Sequence, residues 1–443
     1  MPLDLALRSA ASLPRPESFP RLCEHIEPEW IEEALEATGV ATMRRRRLPA
    51  EQVIWLVLGI ALLRDKPIEE VADRLEIALP SPSGAVAKSA LPPARTRLGP
   101  EPMKWLFERS ARKWAHESAD RHRWRGLALY GIDGSSVRLA DTVASRSEFG
   151  GWIARGGDSS NPIVRIVLLV ALRSHLLAAG TFGPYAKTSE LGEAGGLLDQ
   201  IPDRSLTILD KLYFSAAFLL KLQSDAQRYW LTKAKSNSKL REIERYADGD
   251  ALVEMDVTWD ARKRDPSLPT TWRARAIRYQ RPGGKPHTLL TSLLDPKAFP
   301  ADEIRALYHE RWEIELAYGE LKTDLLDAEV TLRSKSPMSV AQEIWGILIT
   351  FNLVRLEMER IAAEARVPPT RISFIAALHY VRDQWLWSTD TRYPGAIPKQ
   401  LLKLRERLKR FILPPRRTER SYPREVKNDY RAYPRRPRTK PLK

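Results

Sequence analysis

The run at 308–322 reads Y-H-E-R-W-E-I-E-L-A-Y-G-E-L-K. Pro300, Ala301, Asp302 and Glu303 precede it, a proline with early acids that reads as a helix start. At about 100° per residue, Leu307, Ile314, Tyr318, Leu321 and Leu325 form one apolar stripe, and Tyr308, Arg311, Glu315 and Lys322 fall within roughly 60° beside it. A phenol, a guanidinium, a carboxylate and an ammonium therefore share a face at the edge of a core. Taken alone, the same run is also an ordinary amphipathic helix with an i,i+4 Arg–Glu pair. Upstream, two strand-like runs, 127–133 and 206–210, end on Asp133 and Asp210. Two carboxylates at strand ends and one on a later helix make a site for hard divalent cations. Mg²⁺ takes few carboxylates, several waters and substrate phosphates. A pair of such ions can activate a nucleophile and stabilise a leaving oxygen at phosphorus. Each aspartate also has a plain structural reading. Asp133-Gly134 is a common turn dipeptide, and Asp210 could cap the helix that follows it.

The elements that must position these groups are legible from composition and pattern. The chain has 443 residues, enough for two or three domains with substantial cores. Net charge is +16 although 56 acids are present, so the excess of base points to a polyanion partner or to simple solubility. One cysteine, Cys23, excludes a disulfide framework and a cysteine-based zinc site within one chain. The seven histidines show no H-E-x-x-H spacing. The N-terminus lacks the layout of a signal peptide, and the longest apolar run, 53–63, is too short to span a bilayer. These features predict a soluble cytoplasmic protein with no membrane partner.

Residues 1–120 read as helical. Arg44, Arg45, Arg46 and Arg47 stand before a helix entry at Leu48-Pro49-Ala50-Glu51, and Arg95 and Arg97 end a later short helix. Short helices with a basic connector fit a helical DNA-reading module; they also fit a bundle with solvated arginines. Four arginines oppose a helix dipole, which suits a phosphate partner. Strands and helices alternate over 121–236, where the apolar run 163–172 reads as a central strand. Residues 237–294 read as a β-rich insertion with strands at 251–259, 271–279 and 288–294, and a turn at Pro282-Gly283-Gly284. The glutamate helix occupies 295–335, further helices 336–413, and a basic, proline-rich arm 414–443, either for nucleic acid or for solubility.

The spacing Tyr308, Arg311, Glu315, Lys322 resembles the Y-(2)-R-(3)-E-(6)-K signature of cut-and-paste transposases of the insertion-sequence-four family. The neighbouring text is similar too: Ile132-Asp133-Gly134-Ser135, then Asp141-Thr142 and Phe149-Gly150; Leu209-Asp210-Lys211; Lys235-Ser236-Asn237; Leu289-Leu290-Thr291-Ser292; and Leu332-Arg333-Ser334-Lys335-Ser336-Pro337 before Trp345-Gly346. The resemblance implies an α/β fold: a ribonuclease-H-like catalytic core with a β-rich insertion, preceded by a helical DNA-binding domain and followed by C-terminal helices and a basic tail. It implies Asp133, Asp210 and Glu315 as catalytic metal ligands for two Mg²⁺ ions, with Mn²⁺ as substitute. It implies Tyr308, Arg311 and Lys322 as DNA contacts. Arg44, Arg45, Arg46, Arg47, Arg95, Arg97, Lys211, Lys233, Lys235 and His287 are further candidates for that role.

Two positions depart from the pattern. Lys211-Leu212 stands where relatives commonly have Arg-Gly. His287 falls where some relatives carry a base-stacking tryptophan, a task Trp272 or Trp230 could take. The implied function is a DNA transposase that cleaves and transfers strands at terminal inverted repeats, with or without a hairpin. Its partners are double-stranded repeat and target DNA, and it forms a homodimer in the DNA complex, with the C-terminal helices as a plausible interface. Two other readings stand beside it: a catalytically retired transposase acting as a repressor or inhibitor, and a structure-specific nuclease on the same core.

Overall fold

The computed structural model describes residues 25–40, 48–75, 77, 86–151, 153–154, 157–158, 161–223, 227–280, 286–326, 331–388 and 406–415. Cys23, Arg44 to Arg47, the turn at Pro282 to Gly284 and nearly all of the basic arm lie outside the described residues. The chain divides into two compact units. One contains Ala115–Val137 and Phe149–Tyr318; the other contains the segment up to Trp114, Arg138–Glu148 and Gly319–Pro414.

The α/β unit is built on β1 (Ala128–Arg138), β2 (Ile153–Ala154), β3 (Gly157–Asp158), β4 (Ile163–Ala171), β5 (Leu177–Pro184), β6 (Ser205–Leu209), β7 (Arg228–Lys233), β8 (Arg241–Ala247), β9 (Asp250–Asp256), β10 (Thr271–Tyr279) and β11 (His287–Thr291). The strands β2 and β3 form a small ribbon, and the other nine form one sheet in the order β5-β4-β1-β6-β7-β11-β10-β9-β8. The strands β1, β6 and β7 run parallel, and β4 with β5 antiparallel. This five-strand arrangement is ribonuclease-H-like. The β-branched run of β4 is buried on both faces from Ile166 to Ala171, as an inner strand requires.

The inserted strands prolong this sheet. The edge of β7 accepts β11 antiparallel, with Leu289 opposite Lys233. The strand β8 was not expected from the sequence. Its Arg-Glu-Ile-Glu-Arg run has no apolar face to recognise, and it lies almost wholly exposed at the sheet edge. Charge along an edge strand opposes pairing with another chain. Inside the insertion, Arg275 grips Asp250 through two bonds of 2.7 and 2.6 Å, and also donates to the Phe299 carbonyl at 2.6 Å. Trp230 and Trp272 pack against one another at 5.6 Å, both buried, so neither offers a free ring for a base.

The helical unit joins segments far apart in sequence. The helix Ala50–Leu62 is buried on every side, with only Glu51 escaping, because it is apolar all round. It packs on the long helix Pro337–Ala365. A side chain at Gly346 would meet Val57 at 2.9 Å, so glycine permits the close approach. Arg64 forms a buried ion pair with Glu343 at 2.9 Å, and the Glu343 carboxylate also accepts the Ser334 and Arg333 amides. The N-terminal and C-terminal helices thus share one core. Pro337–Ala365 is buried along most of its length. Among the described residues no helix is long and apolar enough to cross a membrane.

Burial raises the Glu343 pKa, but Arg64 and the bonds from Ser334 reverse this, so the net shift is downward. A depressed folded pKa stabilises the fold fully above the ordinary glutamate value of 4.5 and ceases to do so as pH falls through the lowered value. Glu343→Gln, which strands Arg64, is expected to cost about 3 kcal/mol at pH 7. In urea denaturation the gap to wild type should shrink with acidification; a pH-independent gap would remove the ion pair as its cause.

Candidate active site

The parallel register of β1 and β6 runs from Ala128 opposite Ser205 to Ile132 opposite Leu209. Asp133 and Asp210 are the next residues on the two strands, so they leave the same end of the sheet side by side. Pairing with β6 ends there, as the sequence implies. The strand β1 itself continues through Asp133 to Arg138, which corrects the reading of Gly134-Ser135-Ser136 as a turn after Asp133. The Asp133 carboxylate accepts its neighbour's amide, from Gly134, at 2.9 Å. Asp210 accepts the Lys211 amide at 2.6 Å and opens the short 3₁₀ turn Lys211–Tyr213, while its carbonyl accepts the Thr232 hydroxyl at 3.1 Å.

The expected helix is present but not uniform. It is α-helical over Ala301–Leu307, 3₁₀ over Tyr308–Arg311, α-helical over Trp312–Gly319 and π-helical over Glu320–Leu325. Leu307, Ile314, Tyr318, Leu321 and Leu325 are buried, as the stripe predicts. Ile314 fills the notch above Gly131 on β1, where any added Cβ would lie 2.3 Å from its Cδ1. One turn on, the Tyr318 phenol donates to the Asp133 carbonyl at 2.7 Å. These two contacts flank Glu315 on the helix and fasten that turn to the strand bearing Asp133.

Glu315 accepts from Arg311 at 2.8 Å. Burial works against the Arg311 charge, but the bond to Glu315, Tyr308 and the nearby Asp210 more than compensate, so its pKa rises. Burial pushes the Asp133 carboxyl up to about 6, with Glu190 and Asp210 adding repulsion and Gly134 and Arg311 opposing it. Asp133, Asp210, Glu315 and Arg311 are therefore one electrostatic neighbourhood. Among the described residues no three acids or histidines form a preassembled metal cage. The donors present are hard carboxylate oxygens, which suit a cation that completes its shell with water and phosphate oxygens.

The remaining candidates are scattered. Tyr308 is buried, packs edge-on to Tyr279 at 6.0 Å, and has its pKa pushed up to about 12 by burial. Lys322 lies in the π-helical segment Glu320–Leu325. It is half-buried in the helical unit, and burial, then Arg138, lowers its pKa. Arg95 is hydrogen-bonded within the fold. Its guanidinium binds Gln342 at 2.8 Å and reaches Ser334 and the Ser339 carbonyl, so it is engaged inside the fold. Arg97 and Lys211 are exposed, and Lys233 and His287 are half-buried. Lys235 is exposed and donates to the Phe214 carbonyl at 2.9 Å. Leu212 stands 47% exposed in the turn after Asp210. Sequence reasoning missed Glu190, Tyr213 and the notch at Gly131, since no local pattern marks them; each is defined by a neighbour distant in the chain.

Residues 124–353 match the family model described as the transposase DDE domain, and residues 16–108 the model of the insertion element 4 transposase N-terminal region. The transposase InsG for insertion sequence element IS4 of Escherichia coli (strain K12) is 36% identical over 419 residues, 94% of either chain. The chain belongs to the IS4 family of DDE transposases. The putative transposase InsZ of the same organism is 33% identical over 295 residues, which cover 63% of this chain and 97% of that one. A piggyBac transposase synaptic complex with hairpin DNA covers 94% of this chain and 88% of its own at 13% identity, with a TM-score of 0.42, too distant a likeness to bear on function. In this IS4-family transposase the DDE-domain match contains Asp133, Asp210, Glu315 and Lys322. Dependence on a divalent metal comes with the family.

The notch is testable. Gly131→Ala should destabilise the protein by about 1–3 kcal/mol through overpacking. Combined with Ile314→Val, the two costs should fall short of additive by about 0.5 kcal/mol or more. Strict additivity in a denaturation cycle would mean that the added methyl does not meet Ile314.

Proposed function

We propose that Asp133, Asp210 and Glu315 hold two Mg²⁺ ions, with Mn²⁺ as substitute, and that the enzyme uses them to cut and transfer DNA at the terminal inverted repeats of its element. The observation that carries this reading is the register that sets Asp133 beside Asp210, with the Glu315 turn fastened to the same strand by Ile314 and Tyr318. Such ions, when bound, activate a hydroxyl nucleophile and neutralise the leaving oxygen at phosphorus. Asp133, Asp210 and Glu315 would each supply carboxylate oxygens to hold such ions. Arg311 orients Glu315 and holds positive charge at the carboxylates, where a phosphate would arrive. Tyr308, buried beside Arg311, and Lys322 would contact end DNA.

The partners in this reading are double-stranded repeat and target DNA, with two copies of the chain acting on two ends in the cytoplasm. Arg44 to Arg47, Arg97, Lys211, Lys233, Lys235 and His287 remain proposed contacts with the DNA backbone. A retired, binding-only transposase is not favoured: all three carboxylates and the arginine beside Glu315 are in place. A hairpin step would have to do without Trp230 and Trp272.

In Mg²⁺, the wild type should cut a labelled duplex carrying the repeat at its boundary, and Glu315→Gln should bind that duplex but not cut it. Substantial cutting by the variant would take Glu315 out of the mechanism, and the mobility of the product on a denaturing gel shows whether a hairpin forms. Lys322→Ala should weaken end binding and make the salt slope shallower by about 0.9, the value for one lost phosphate contact. An unchanged slope would count against that contact.

A further inference from the structure

The turn that joins β4 to β5, residues 172–176, reaches the glutamate helix at two points. Arg173 grips the Glu310 carboxylate through two bonds of 2.9 and 2.7 Å. Its guanidinium also donates to the His122 carbonyl at 3.0 Å, on the segment that leads into β1. Two residues on, His175 Nε2 meets Glu313 Oε2 at 2.9 Å. Facing a carboxylate, that nitrogen carries the proton. All of these residues belong to the α/β unit.

His175 is held there against its backbone preference. Its φ is 60°, the left-handed conformation that β-turns commonly give to glycine. A Cβ makes that conformation unfavourable, yet the position carries a fully buried imidazole aimed at the helix. The turn itself is closed: the Ala171 carbonyl accepts the His175 amide at 2.8 Å, and the Ala171 amide donates to the Leu176 carbonyl at 2.8 Å. Such strain is retained where the side chain makes a contact that glycine could not. Glu310 and Glu313 bracket the place where the helix changes from 3₁₀ to α. Glu310 precedes Arg311, and Glu313 stands two residues before Glu315. A 3₁₀ turn has poorer hydrogen-bond geometry than an α-helix, so contacts from outside weigh more in setting its rotation. Ile314 and Tyr318 pin the helix to β1, and the turn holds it from β4 and β5. A helix fixed from separate strands cannot roll about its axis.

We propose that Arg173 and His175 are positioning residues for DNA cleavage: through Glu310 and Glu313 they fix the roll of the glutamate helix, and with it the aim of Arg311 and Glu315 at the aspartates. The inference rests on the reading of Glu315 as catalytic.

Single-turnover cutting of a saturated repeat duplex in Mg²⁺, set beside the affinity of the full chain for that duplex, separates aim from binding. Arg173→Glu should slow the cutting step about tenfold or more and leave the affinity within about threefold. Adding Glu310→Arg restores the ion pair with its ends exchanged and should recover most of the rate. Glu313→Leu should slow cutting about tenfold, and Glu313→Gln, which keeps an acceptor for the imidazole, should retain more of the rate. His175→Gly suits the backbone but removes the ring; a wild-type rate in that variant would leave His175 a turn residue only and overturn the proposal. Rate and affinity that fall together with the melting temperature, or a double variant no faster than Arg173→Glu, would likewise overturn it. Glu315→Gln is the control. If it is inactive while Arg173→Glu and Glu313→Leu cut like wild type, this inference alone is lost; if it cuts, the catalytic reading falls and the inference falls with it.

Discussion

Two carboxylates brought side by side repel one another, and the fold sets Asp133 next to Asp210 all the same. Hydrogen bonds of the β1–β6 ladder hold the strands in one register, so the pair cannot separate without breaking the centre of the sheet. The interior residues that make this ladder rigid, Leu129, Ile132, Leu206, Ile208 and Leu209, are buried apolar side chains. The repulsion is borne by hydrophobic burial some distance from the charges. Everything else at the site answers to that arrangement: the arginine that faces the acids, the amides of Gly134 and Lys211 that each bond one oxygen, and the raised Asp133 carboxyl.

The third acid arrives from a helix 182 residues beyond Asp133 in the chain. Its position depends on two neighbours with no chemistry of their own. Ile314 needs the missing side chain of Gly131, and Tyr318 needs a backbone carbonyl at the point where β1 leaves its partner. Shape fixes the height of the helix on the sheet, and one hydrogen bond fixes its advance along the strand. Arg311 binds the glutamate from four residues before it, a spacing that helices favour.

Much of this was legible in the amino-acid order. The apolar stripe of the glutamate helix, the strand ending at Asp210, and the inner strand at Ile163–Ala171 carry periodic signals that survive folding. A uniform helical count cannot foresee the 3₁₀ turn before the glutamate or the π turn after it. Arg95 looked like a surface cation because its partners, Gln342 and Ser334, lie some 240 residues away. Glu190 and Gly131 were invisible for the same reason: their meaning is a contact, and contacts between distant segments leave no period. The edge strand β8 was missed because its side chains are charged on both faces.

The antiparallel pairing of β11 with β7 brings the two ends of the insertion together at the sheet edge, Leu289 against Lys233. Whatever lies between those two points forms a closed excursion, and the path from Asp210 to Glu315 does not run through its interior. Such a stretch is modular. Its far end, β8 and β9, can lengthen or shorten over evolutionary time without moving the glutamate, provided the β7–β11 seam and the packing of Tyr279 on Tyr308 are kept. The loop-closure cost of a longer excursion grows only with the logarithm of its length. The catalytic chemistry and whatever the inserted strands recognise can therefore diversify at different rates within one polypeptide.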